Sequence, residues 1–144
     1  MKPWLPIAAV GLALSPLAVV HPLRVRGRSM EPTLRDGELC LVLRAWASGA
    51  PVRGEVWWVS SPEGSAVKRV AGLPGERLEL REGDLLAEGR RVEPPPQARL
   101  ERQDGSWVCG DGYFLLGDNR PESRDSRAWG AVAPSAMKGR VLGR

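Results

Sequence analysis

Ser29 stands in the run Gly27-Arg28-Ser29-Met30-Glu31-Pro32-Thr33-Leu34. A serine hydroxyl attacks a carbonyl only once a base takes its proton, and the chain offers few bases. The single histidine, His21, precedes Pro22 at the end of an apolar N-terminal run. Arginine supplies most of the positive charge and does not lose its proton in a protein. Lysine can, and there are three: Lys2, Lys68 and Lys138. Lys68 lies in Ala66-Val67-Lys68-Arg69-Val70-Ala71-Gly72-Leu73-Pro74-Gly75-Glu76. If Lys68 is neutral at working pH, Ser29 and Lys68 form a Ser-Lys dyad.

Neutrality has a physical requirement. Lowering a lysine from its reference pKa of about 10.4 to about 8 takes roughly 3 kcal/mol of differential destabilisation of the ammonium. Burial against apolar side chains is the usual means. Val67 and Val70 are β-branched and suit a strand, on which Lys68 points to one face and Val67 and Arg69 to the other. That reading leaves Arg69 in solvent and puts Lys68 at the edge of the core. The plainer readings are a surface Lys-Arg pair and an ordinary loop serine.

A third cluster is Gly117-Asp118-Asn119-Arg120-Pro121-Glu122-Ser123-Arg124-Asp125-Ser126-Arg127. Its plain reading is a turn-rich loop in which Asp and Asn bond their own backbone. It is also dense in hydrogen-bonding groups. A hydroxyl from this run can orient a neutral lysine amine, and an Asp-Arg pair can brace the loop.

The elements that must position these groups are short. The chain has 144 residues and a formal charge of +4, with acids and bases interspersed. That is one domain with enough apolar content for a core. The charge reads as an ordinary solvated surface or as attraction to an anionic membrane. No zinc-finger spacing, P-loop or dinucleotide fingerprint occurs, so neither nucleic-acid binding nor a cofactor or metal is expected. Cys40, in the apolar stretch 39–43, and Cys109 are far apart. They read as buried free thiols, or as a disulfide if the domain lies outside the cytoplasm.

Residues 4–20 carry no charge. As a helix this stretch would span roughly 25 Å, the short end of what crosses a bilayer. Its end, Leu17-Ala18-Val19-Val20-His21-Pro22, lacks a small-x-small cleavage site, which favours an uncleaved anchor over a removed leader. Arg24, Arg26 and Arg28 follow it, and the positive-inside rule alone would put that side in the cytoplasm.

Beyond residue 22, β-rich runs alternate with turns and helical periodicity is scarce. Strands are expected at Leu39–Arg44 after the Asp36-Gly37 turn and at 55–59. Others are expected at Arg77–Arg81 and Asp84–Ala87 around Glu82-Gly83, at 90–92 after Gly89, and at 113–116. Pro74-Gly75 fits the centre of a type II turn, and Pro94-Pro95-Pro96 an extended connection. The sum is an all-β, barrel-like domain on a membrane anchor.

Taken together, these runs resemble the type I signal peptidases of bacteria. These are membrane-anchored Ser-Lys endopeptidases that remove signal peptides from exported preproteins. The resemblance runs from the anchor through 27–34, Gly54-Glu55-Val56, 68–76 and 117–127 to Gly139-Arg140. It implies Ser29 as nucleophile and Lys68 as general base. Ser123 would hold the Lys68 amine, and Asp125 and Arg127 would form an ion pair behind the site. Met30, Asp118, Asn119 and Ser126 fall at supporting positions. The Ser29 backbone N–H would donate to the oxyanion, and Gly27 stands where some members place a second donor.

The implied fold is the family's coiled β-sheets with a barrel-like part, behind one transmembrane helix. Residues 1–22 would be the anchor and 23–144 the catalytic domain, a minimal core without the inserted domain of larger relatives. The implied partners are preprotein signal peptides and the lipid bilayer, with no nucleic acid, and a monomer is expected. The implied location is the cell membrane, single-pass, with the catalytic domain on the extracytoplasmic side, against the local arginine count.

Ser29 follows the apolar run by nine residues, about 30 Å fully extended, which keeps the site near the membrane. The substrate would bind extended, as an added strand. Two shallow pockets would take small side chains one and three positions before the cut. Trp46, Trp57 and Trp58 would either dip into the membrane interface or pack in the core.

Three alternatives share parts of this pattern. One is a Ser-Lys processing peptidase with a dedicated substrate, of the conjugation-pilin or mitochondrial inner-membrane type. Another is a self-cleaving SOS repressor, which would need a DNA-binding domain. The third is a catalytically inactive membrane-tethered binding module, and the presence of both Ser29 and Lys68 argues against it.

Overall fold

The computed structural model describes residues 19–92, 98 and 104–144. The stretch expected to form the anchor falls largely outside the described residues, as does Pro94-Pro95-Pro96. Among the described residues no helix is long and apolar enough to cross a membrane.

The described chain is mostly strand. β1 (Val20–Arg24) and β2 (Leu39–Arg44) flank the loop that carries Ser29. A single turn of helix, α1 (Ala45–Ser48), leads on to β3 (Val56–Ser61) and β4 (Gly64–Gly72). Four short strands follow: β5 (Arg77–Arg81), β6 (Asp84–Ala87), β7 (Arg90–Val92) and β8 (Gly105–Val108). β9 (Phe114–Leu116), the one-turn α2 (Ser126–Trp129) and β10 (Met137–Val141) complete the order. One sheet has the order β1-β2-β10-β3-β4-β9 and the other β7-β6-β5-β8. All their pairings are antiparallel.

Local turn chemistry accounts for the second sheet. The β5–β6 hairpin turns at Glu82-Gly83 and β6–β7 at Glu88-Gly89, with all four residues at positive φ. Two-residue turns of this mirror-image type match the twist of the strands they join. Glu82 and Glu88 accept a backbone region that L residues rarely visit.

The core explains why β9 reads as a continuous apolar run. Phe114 and Leu116 face one way, into a cluster with Leu78, Leu80 and Leu85 from the second sheet. Leu115 faces the other way, onto Trp57, Val59, Val70 and Met137. The strand is buried on both faces, so alternation is absent. A further cluster of Val25, Met30, Leu34, Val42, Val56 and Val141 lies under the Ser29 loop. Trp57 is a core residue and Trp46 is exposed. Cys40 and Cys109 are buried free thiols.

Three features depart from the sequence reading. β1 begins at Val20 and pairs with β2 through Val20↔Leu43 and His21↔Val42. Residues 20–22 therefore belong to the sheet, inside the stretch first given to the anchor. β8 and β10 carry no strong local strand signal and form through distant partners. The one-turn helices α1 and α2 are too short to show periodicity.

Candidate active site

Ser29 sits in a turn that the core pins down. Met30 and Leu34, almost wholly buried, reach into the cluster beneath it. The Leu34 N–H donates to the Met30 carbonyl at 3.0 Å. Gly27 opens the turn at φ +81, with its N–H on Asp36 Oδ1 at 2.8 Å. From the other side Asn119 holds the turn. Its backbone N–H donates to the Ser29 carbonyl at 2.9 Å, and its side-chain amide to the Arg28 carbonyl at 3.0 Å.

Lys68 comes from the middle of β4, opposite Trp57 of β3. It is 4% exposed. Its Nζ lies 2.7 Å from Ser29 Oγ and 3.3 Å from Ser123 Oγ. Burial lowers its pKa to about 8; Arg127 adds to the lowering, while Asp125, Glu63 and Asp118 oppose it.

Behind the amine the polar groups form a directed chain. The Ser123 hydroxyl donates to Asp125 Oδ2 at 2.7 Å. With its one proton spent there, Ser123 Oγ can only accept from Lys68. Asp125 in turn accepts from Arg127 Nε at 2.8 Å and from the Gly117 N–H at 3.0 Å. Arg127 also donates to the carbonyls of Arg120 and Ser123, tying the loop to itself. Ser126 Oγ accepts from the Leu115 N–H at 2.9 Å and joins the loop to β9. The loop packs so close that a Cβ on Gly117 would lie 2.1 Å from Ser123 Oγ and 2.5 Å from the Ser29 carbonyl. Only glycine fits there.

The structure brings Ser29, Lys68, Ser123, Asp125 and Arg127 into one chain of contacts, with Met30, Asn119, Ser126 and Gly27 shaping the loops. It corrects the reading of Arg69. That side chain does not stay in solvent: it grips Asp118 with two bonds, at 2.8 and 2.6 Å, and is 14% exposed. Thr33 donates to the same carboxylate at 2.5 Å. Asp118 thus joins β4, the serine loop and the 117–127 loop. Sequence reasoning missed the roles of Arg69 and Thr33. The signal was Arg69 beside Lys68 and Thr33 inside the serine run, but the partner lies 49 and 85 residues away.

A groove leads to Ser29 and Lys68. β9 pairs with β4 only from Arg69 onward, so the Gly64–Lys68 part of β4 has one unpaired edge. Facing it across a cavity of about 470 Å³ are Leu23 and Arg24 from the end of β1, which pairs only with β2, and Arg26 just beyond it. A neighbouring cavity shares Arg26, Ser65, Ala66 and Val67 with it and is lined also by Ser29 and Lys68. Two strand edges with free hydrogen-bonding groups border this space. Among the described residues no cluster of His, Cys, Asp and Glu could hold a metal ion.

The chain matches the family described as signal peptidase, peptidase S26, over residues 2–144. It is similar to signal peptidase IB of Staphylococcus aureus, 30% identical over 145 residues that cover 85% of this chain and 76% of that protein. It is also similar to signal peptidase I of Bacillus licheniformis, 36% identical over 137 residues that cover 84% and 74%. The crystal structure of a signal peptidase I from Enterococcus faecalis V583 superposes with a TM-score of 0.56 at 31% identity, covering 66% of this chain and 98% of that one.

Proposed function

The chain belongs to the signal peptidase family, peptidase S26, and we propose that it carries out the family's reaction with Ser29 as nucleophile and Lys68 as general base. It is a serine endopeptidase that acts on the signal peptides of preproteins. The observation that carries the dyad is the buried Lys68 amine 2.7 Å from Ser29 Oγ, with its pKa lowered to about 8.

The hydrogen-bond directions favour the reaction. Ser123 can only accept, so Lys68 turns an N–H toward it and its lone pair toward the Ser29 hydroxyl. Ser29 gives its proton to Nζ as Oγ bonds to the scissile carbonyl carbon. The carbonyl oxygen takes the negative charge and faces the Ser29 backbone N–H. The Lys68 ammonium then protonates the leaving amine as the C–N bond breaks, releasing the mature protein. Lys68, neutral again, takes a proton from water as its oxygen attacks the acyl carbon; the bond from that carbon to Ser29 Oγ then breaks, Lys68 returns the proton to Oγ, and the signal peptide leaves as a carboxylate.

The preprotein lies extended in the groove and adds a strand between the edges of β4 and β1. Small side chains one and three positions before the cut fill its two shallow pockets. Residues 1–18, with the apolar stretch they contain, anchor the chain in the lipid bilayer in a single pass. The catalytic domain lies on the extracytoplasmic side and works as a monomer.

The test uses the full-length protein in detergent and a preprotein whose mature N-terminus is identified after cleavage. Cleavage at the signal-peptide junction is expected, reduced about 10³-fold or more by Ser29→Ala and by Lys68→Ala. Cleavage that survives Lys68→Ala would remove the dyad.

A further inference from the structure

We propose, on the footing that the groove holds a signal peptide, that Arg26 selects the side chain two positions before the cut and favours a carboxylate there, from aspartate or glutamate. Two segments lead to the reacting groups. β1 runs on through Arg26 to Ser29, and β4 runs from Gly64 past Lys68. Arg26 and Ser65 each stand three residues before the reacting group of their own segment. Both are exposed, and both line each of the two neighbouring cavities, including the one that holds Ser29 and Lys68. Leu23 and Val67, by contrast, pack on the apolar cluster under the serine loop. An extended peptide alternates its side chains. With positions one and three turned into the shallow pockets, position two turns outward, to the rim where Arg26 and Ser65 stand.

The basic groups around this space are engaged except for one. Arg24 donates to the Gly37 carbonyl, Arg28 pairs with Glu31 and Glu122, Arg124 pairs with Glu63, and Lys68 contacts Ser29 and Ser123. Among the described basic residues of the two cavities, Arg26 alone has no hydrogen bond or ion pair. Water satisfies an exposed guanidinium, so nothing forces an anion onto it. What sets Arg26 apart is that it can take one without breaking a pair. Ser65 adds a second donor. Its Oγ accepts from Trp58 Nε1 at 2.7 Å, which leaves its own proton free to donate. The carboxylates lining the cavity, Glu63 and Glu122, are already held by arginines. The rim beside position two therefore offers a positive charge and donors. A carboxylate matches both and can take two parallel bonds from the guanidinium. A lysine at position two meets like charge instead. The contact lies at the open mouth of the groove, so its effect is modest and screened by salt.

The full-length protein in detergent is given preproteins that differ only at position two, which is Glu, Gln or Lys. At low salt kcat/KM is expected to fall in that order, with about tenfold between Glu and Lys, and the spread to shrink in about 0.5 M sodium chloride. Arg26→Glu should reverse the order, so that the Lys preprotein is cut faster than the Glu one, a reversal that a merely structural role would not produce. Arg81→Glu, the same charge change on a side chain of the second sheet that is 70% exposed, should keep the parent's order. The same three residues placed at position four, which also turns outward, should give a smaller spread. Equal rates across the series in a parent that cleaves correctly, an order that survives Arg26→Glu, or a larger spread at position four would overturn the assignment and leave the proposed function standing. Cleavage of none of the preproteins would overturn the proposed function, and this assignment with it.

Discussion

Burial that lowers the Lys68 pKa to about 8 also makes the protonated lysine destabilising. The folded-state value lies below the unfolded one, so the penalty is fully present below about pH 8. It is relieved as pH rises toward the unfolded value near 10.4, because there the unfolded chain binds the extra proton. Its size is about 3 kcal/mol, less what the hydrogen bonds return. Lys68→Met is therefore expected to stabilise the fold by about 1–3 kcal/mol at pH 6 and by much less at pH 10. Urea unfolding at both pH values checks this, and an equal effect at the two would contradict it. At this scale much of the site was legible. A serine in a pinned loop, one lysine on a β-branched strand and a cluster of hydroxyls and carboxylates narrow the chemistry sharply. Arg69 was not legible: alternation set it opposite Lys68 correctly but could not show that Asp118 arrives on that face.

Between elements, Asp118 is the junction. It bonds Arg69 of β4 and Thr33 of the serine loop, and its removal leaves a mostly buried guanidinium unpaired. Asp118→Ala is expected to cost about 3 kcal/mol, and Asp118→Ala combined with Arg69→Met to recover a large part of it. Chemical denaturation of the single and double variants measures the coupling, and strict additivity would show that the pair does not act as a unit. The β5–β6 and β6–β7 hairpins were readable because their two-residue turns are decided locally. β8 and β10 were not, because their runs, Gly105-Ser106-Trp107-Val108 and Met137-Lys138-Gly139-Arg140-Val141, become strands only beside distant partners. Gly139 shows the dependence: a Cβ there would lie 2.6 Å from the Leu43 carbonyl, a constraint visible only once β10 lies against β2.

For the molecule as a whole, the proposed function needs a membrane tether joined to a β domain whose groove ends at a buried amine. The first strand begins at Val20, the last residue of the uncharged stretch 4–20, so little chain separates the strand from residues 1–18. The full-length protein is expected to float with lipid vesicles, and a chain lacking residues 1–18 to remain folded and lose most of that association. Equal flotation of both would place the membrane contact elsewhere. The all-β character was legible from turn spacing, whereas the division into two sheets was not, since it depends on which distant edges meet. The central claim is that Lys68 is the base, and the most direct measurement is kcat/KM for preprotein cleavage from pH 5 to pH 10. The account predicts activity that rises about tenfold per unit below a single limb near pH 8. A limb near 6.5, where a histidine titrates, or a rate indifferent to pH across this range, would contradict it.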